Sequence, residues 1–228
     1  MCARKSNAWS EVVVKLIGIA FSHYVEKARW ALDRYGVAYE EVRCMPTFHF
    51  PAVLWATRGR GGTTDRVSTR FSTPVLVLDD GSLLRDSSDI VRWASDTYGT
   101  VETSLYPTPE VTEFESYLGV ELGPHTRRAV YNEGLSDPML MRRIAERNVG
   151  AAQARVFTAA FPLCREVIVR ALRVTPEGAA RSVERVRAVF DAVHERRAGR
   201  PFVLGERFTA ADLTFACMAA PVLMPSPD

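Results

Sequence analysis

Residues 15–32 read KLIGIAFSHYVEKARWAL, and the hydrophobic period changes halfway along. The first half is apolar and β-prone, with Leu16, Ile17, Ile19 and Phe21. The second half is helical: Val25, Arg29 and Leu32 recur four and three apart, with Glu26 and Lys27 between them and Asp33 just after. The change falls at Ser22-His23, where a serine can cap the new helix. A strand that runs into a helix N-terminus gathers backbone N–H groups and the positive end of the helix dipole at one point. Such a point suits an anion, a thiolate included. Ser22 is the hydroxyl placed there, and it reads either as a simple cap or as a donor to a bound anion.

Working outward, residues 12–21 form the first strand, and its near-continuous apolar run suits an interior position in a sheet covered on both faces. A helix over 24–35 stops at Gly36, and 37–43 (VAYEEVR) returns as a second strand. The result is a right-handed βαβ unit with parallel strands. Residues 45–71 are broken by Pro46, Pro51, Gly59, Gly61 and Gly62 and hold one short helix. The run 59–64 (GRGGTT) lacks the spacing of a phosphate-binding loop and reads as a mobile connection. Residues 74–78 (PVLVL) and 82–85 form a hairpin about Asp79-Asp80-Gly81. Asp86-Ser87-Ser88-Asp89 opens a helix that runs from Ile90 to Tyr98.

Beyond a linker at 100–109 (TVETSLYPTP) the strand signal disappears. Val111, Phe114, Leu118 and Leu122 make an amphipathic face that kinks at Gly123-Pro124. Residues 139–172 hold one long helix or two, with Pro162 the expected break. Thr175-Pro176-Glu177 starts another helix, whose stripe is Val183, Val186, Phe190 and Val193 and whose end is Gly199. Thr209 and Asp212 form a capping box, with Phe208 placed to staple onto Leu213. The chain thus divides into an α/β domain over 11–99 and an all-helical domain over 110–228, preceded by a loose leader at 1–10.

Composition excludes several classes. The 228 residues are 47% apolar and 25% charged, as in an ordinary globular protein. Net charge is only +2, from 29 basic and 27 acidic residues, with no basic stripe for nucleic acid. Cys2, Cys44, Cys164 and Cys217 form no C-x-x-C and no metal-ligand spacing, so they read as free thiols in a reducing compartment. The N-terminus lacks the apolar core of a secretory signal, and the longest apolar stretch, 215–224, contains Pro221 and is too short to span a bilayer.

Three stretches resemble one family. FSHYVEKARWAL (21–32) looks like the active-site helix of glutathione transferases that read S-H-Y-C-E-K-x-R-W-A-L. TPVLVLDDGSLLRDSSDIVRW (73–93) looks like that family's cis-proline and glutathione-binding segment, and RFTAADLTFA (207–216) like its helical-domain capping box. The resemblance covers nearly the whole chain and implies a thioredoxin-like βαβ-ββα domain followed by a glutathione-transferase-type helical bundle. It implies that Ser22, or in second place the Tyr24 phenol, donates to the glutathione thiol. It implies a cis peptide at Pro74, with Val75 pairing the cysteinyl backbone, and Asp86 and Ser87 holding the γ-glutamyl group. His49 and Arg70 fall in the region of the glycyl contact.

The same resemblance implies glutathione as co-substrate without a metal, a small hydrophobic electrophile, conjugation or peroxide reduction in detoxification, and a cytoplasmic homodimer that needs neither nucleic acid nor membrane. Phe114, Tyr117 and Tyr131 are candidate walls for the electrophile. A non-catalytic binding or assembly module, and a glutathione-dependent isomerase or dehalogenase, are the alternative functions. This chain departs from the pattern in three places. Val25 stands where relatives often carry Cys, the 45–71 segment is long, and the sequence stops at MPSPD, soon after the capping-box helix.

Overall fold

The computed structural model describes residues 14–58 and 71–224. The expected leader, the 59–64 loop and Arg70 lie outside the described residues. Apolar alternation along β1 (Val14–Ile19) sends Leu16 to one face and Ile17 to the other. Its sheet has the order β2-β1-β3-β4, with β2 (Tyr39–Cys44), β3 (Val75–Val77) and β4 (Leu83–Leu84). β1 is therefore interior. It pairs parallel with β2 and antiparallel with β3, and the β3–β4 hairpin turns at Gly81, whose φ is +80°.

Leu16 and Leu76 pack against α1 (His23–Arg34) and α3 (Ser87–Tyr98), where Val25, Ala28, Leu32, Ile90 and Val91 are fully buried. Ile17 and Val75 pack on the opposite face against Val53 of α2 (His49–Thr57). α1 ends on its glycine: the Gly36 N–H reaches Asp33 O and the Val37 N–H reaches Leu32 O, which satisfies the last carbonyls of the helix.

Six further helices follow: α4 (Pro109–Glu121), α5 (Gly123–Gly134), α6 (Pro138–Asn148), α7 (Ala151–Leu172), α8 (Pro176–Arg197) and α9 (Ala210–Leu223). The expected kink is the α4–α5 junction at Leu122. The 139–172 segment makes two helices, but the break is at Val149-Gly150 and not at Pro162. Val149 and Gly150 are extended, whereas Pro162 sits on the exposed side of α7, where water can meet the carbonyl its ring leaves unpaired. The stripe of α8 also differs from expectation. Val183 is exposed, and Ser182, Val186, Val189 and Val193 carry the buried face.

The Thr209–Asp212 capping box is present, and one Asp212 oxygen also accepts from the Val203 N–H at 2.7 Å. α9 packs on α1, α4 and α5, so one apolar cluster runs from the sheet into the helical domain. A second cluster joins the α6–α7 hairpin to Met45, Phe48 and Phe21. Among the described residues no helix is long and apolar enough to cross a membrane.

Candidate active site

Strand directions bring the expected residues to one end of the sheet. β1 and β4 finish there and β3 begins there, since Val75 lies opposite Ile17 and Leu84 opposite Leu76. Ser22 follows β1, Pro74 precedes β3, and Asp86 and Ser87 follow β4. The N-termini of α1 and α3 open onto that end, which makes it positive without any metal. β2 ends there too and leads to His49, the first residue of α2.

Ser22 occupies the N-cap position of α1 with an extended backbone, yet its hydroxyl caps nothing. Its carbonyl accepts from the Glu26 N–H at 2.8 Å. Geometry thus separates the two readings of this serine: the backbone starts the helix while the hydroxyl is left for another partner. Thr73–Pro74 is cis, which turns the chain into β3 at Val75. Asp86 caps α3 by accepting from the Ser88 N–H at 2.7 Å. Ser87 is buried in the first turn, with its hydroxyl free of hydrogen bonds among the described residues. His49 is buried on the edge of Phe50, and desolvation lowers its imidazole to about 4.

Tyr24 reaches from this end toward the helical domain, with its phenol under the charges of both Asp86 and Arg127. Its hydroxyl lies 2.4 Å from where a Cβ on Gly123 would stand, so the glycine that begins α5 is what admits it. Burial raises its phenol to about 12. His23 stacks at 4.3 Å on Tyr24, and burial, aided by the Arg127 charge, lowers its imidazole to about 3. Its Nε2 is buried without a hydrogen-bond partner.

The supports of this end were not legible as such. Lys27, set by the pattern between apolar positions, is 1% exposed. Its Nζ reaches Glu115 Oε1 of α4 at 2.6 Å and Ser88 Oγ of α3 at 2.9 Å. Burial works against the Glu115 charge, but Lys27 and the Ser88 and Tyr106 hydroxyls hold its carboxyl below the usual range. The available signal was the small-residue face Ala28 and Ala31, which leaves room for a long chain to lie along α1. Arg29 fixes the other side of the turn, donating to Glu41 Oε1 at 2.9 Å and to Ala20 O at 2.7 Å. Val25 is fully buried against Gly18, where a Cβ would come within 2.4 Å of Cγ2.

The three candidate wall residues part company. Phe114 and Tyr117 stack at 5.5 Å in the main cluster. Tyr131 packs in the second cluster, with Phe21 also packed against it, and lines a cavity of about 350 Å³ between α5, α7 and the start of α8. A second hollow of about 470 Å³ lies between α6 and α7. Neither is lined by Ser22, Pro74, Val75, Asp86 or Ser87. Among the described residues no group of three or more His, Cys, Asp or Glu is placed to hold a metal ion.

Residues 16–102 match the family "Glutathione S-transferase, N-terminal domain", and 176–225 match "Glutathione S-transferase, C-terminal domain". None of the curated proteins matches. The fold is similar to that of a glutathione transferase from Phanerochaete chrysosporium, solved with oxidized glutathione. The TM-score is 0.63 at 14% identity, over 95% of this chain and 82% of that one. It is also similar to a theta class enzyme from Xanthomonas axonopodis pv. citri with glutathione bound, at TM-score 0.62, 16% identity, and 95% and 85% coverage. A third similar structure is a glutathione S-transferase from Xanthobacter autotrophicus Py2, at TM-score 0.60, 20% identity, and 90% and 80% coverage.

Proposed function

The chain belongs to the glutathione S-transferase family, and from that premise we propose that it binds glutathione at the shared end of β1, β3 and β4, ionises the thiol beside Ser22 and transfers the sulfur to small electrophiles. The observation that carries this reading is the Ser22 hydroxyl, which stands at a helix start and caps nothing. Asp86 and Ser87 take the γ-glutamyl ammonium and carboxylate at the start of α3. Val75, following the cis peptide, pairs with the cysteinyl backbone, and His49 lies toward the glycyl end.

A free thiol near pKa 8.5 is only about 3% ionised at pH 7. Lowering it by about two units takes about 2.7 kcal/mol of preference for the thiolate. A hydroxyl donor and a helix N-terminus supply terms of that size. The sulfur then attacks an electrophilic carbon. A C–S bond forms and the leaving group departs with its electron pair, or the pair moves onto an acceptor that water protonates. Peroxide reduction uses the same thiolate. Ser22 is preferred to Tyr24, whose phenol is raised to about 12 and faces Gly123. Buried free thiols at Cys44, Cys164 and Cys217 support a reducing, cytoplasmic setting. A role in detoxification and a homodimeric state rest on family membership.

The test is a titration of glutathione followed by thiolate absorbance, beside Ser22→Ala. Wild type is expected to ionise bound glutathione near neutral pH. The variant is expected to bind it but to need a pH one to two units higher. Equal ionisation in both would return Ser22 to the role of a helix start. Absence of binding in both would leave the fold serving as an assembly module.

A further inference from the structure

The face of α5 that meets the start of α1 carries Gly123, Arg127 and Tyr131, spaced four apart on one side of the helix. Gly123 admits the Tyr24 hydroxyl, and the Arg127 guanidinium lies 5.8 Å from the Tyr24 ring centroid. Tyr24 is two residues beyond Ser22 and its phenol feels the charges of both Arg127 and Asp86, so this cation stands on the helical-domain side of the candidate site. Its situation is unusual. Among the half-buried arginines of the described residues, Arg29, Arg92, Arg128, Arg165 and Arg207 each donate to a carboxylate, hydroxyl or carbonyl. Arg127 donates to nothing among them.

A half-buried charge without an anion is costly, and a planar guanidinium with an unoccupied fork is shaped for a carboxylate. One neighbour points the same way. Gly123 begins α5, so the positive end of its dipole adds to the field. His23, 7% exposed, presents a buried Nε2 with no partner beside the same helix start. Burial and Arg127 keep its imidazole neutral, and its single N–H goes to the Gly123 backbone, so Nε2 carries a lone pair and the ring adds no second cation to the site.

We propose that Arg127 determines specificity by seating a carboxylate of the electrophile, so that the preferred co-substrates are small acids with an electrophilic carbon. The inference rests on the transferase reading above and narrows it from hydrophobic electrophiles to anionic ones. The carboxylate is a spectator. With a chloronitrobenzoate, for example, the C–S bond forms at the ring carbon, the C–Cl bond breaks, and chloride leaves with its electron pair.

The experiment compares a chloronitrobenzoate with its methyl ester, which differs in charge and little in shape. Calorimetric binding of each to wild type, Arg127→Met and Arg127→Lys needs no turnover. Wild type is expected to bind the acid at least ten times more tightly than the ester. Arg127→Met is expected to erase that preference through the acid alone, and Arg127→Lys to retain part of it. In turnover with glutathione, Arg127→Met is expected to lower kcat/KM for the acid about 10- to 100-fold, mainly through KM, and to leave the ester within twofold. Equal binding of acid and ester to wild type, or equal losses of both in Arg127→Met, overturns the inference whether or not glutathione is turned over. Loss of glutathione binding with the acid preference intact would instead overturn the transferase reading.

Discussion

His23 and His49 are each the first residue of a helix, buried, and held neutral at about 3 and about 4 by desolvation. In the unfolded chain each imidazole takes up a proton near pH 6.5. Above that pH both states are neutral and the folded state keeps its full stability. Below it the unfolded chain gains protons that the folded one refuses, so stability falls with pH until the folded values are reached. At pH 5 each would cost about 2 kcal/mol. Urea midpoints are therefore expected to drop steeply between pH 6.5 and 4, and His23→Gln or His49→Gln to flatten the drop. A midpoint unchanged over that window would show that the rings are solvated. Ser22 and Asp86 were legible from sequence as helix starts because the residue types that begin a helix are a local signal. Arg127 was not, since nothing in its own helix tells that no acid among the described residues reaches it.

Three helices are pinned together by one buried charge pair. Lys27 of α1 meets Glu115 of α4 and Ser88 of α3, 88 and 61 residues away along the chain. That separation is why no periodicity in α1 revealed it. Lys27→Met leaves Glu115 buried without its cation and is expected to cost about 3–5 kcal/mol. Adding Glu115→Leu is expected to recover much of the loss, measured as urea unfolding in a double-mutant cycle. Additive losses would mean that the two charges are solvated separately. Element starts were legible where side chains cap, as at Thr175 and the Thr209–Asp212 box. Pro162 misled because a proline's effect depends on which side of the helix it occupies, and sequence alone leaves that side open where Ala159, Ala160 and Leu163 surround it.

The two lobes share a core. Leu16, Leu76 and Ile90 of the α/β part belong to the same buried cluster as Leu118, Val189 and Met218 of the helical part. Separate unfolding of either lobe would expose the other's apolar face. Trp9, Trp30, Trp55 and Trp93 all fall in the first 98 residues, whereas most helix lies beyond them. Tryptophan fluorescence therefore follows the α/β lobe and far-ultraviolet dichroism mainly the helical one. The two urea transitions are expected to coincide; two separated midpoints would mean that the lobes unfold independently. The order of lobes was readable because the hydrophobic period changes along the chain. The α6–α7 hairpin was not placed by it. The hairpin docks through single contacts, such as Gln153 Oε1 accepting from the Met45 N–H at 2.8 Å, which leave no periodic trace.

Val25, sealed against Gly18 one turn beyond Ser22, has a kinetic consequence. Cys44, Cys164 and Cys217 are buried as well, so among the described residues no protein sulfur can resolve an oxidised glutathione held at Ser22. Under the proposed chemistry, a bound thiolate that gives its electron pair to a peroxide oxygen becomes a sulfenate, and only a second glutathione arriving from solvent can discharge it. Conjugation would then spend one glutathione per turnover and peroxide reduction two, and scarce glutathione would leave the site held as the sulfenate, so the cell's thiol supply would decide how far the peroxide reaction runs.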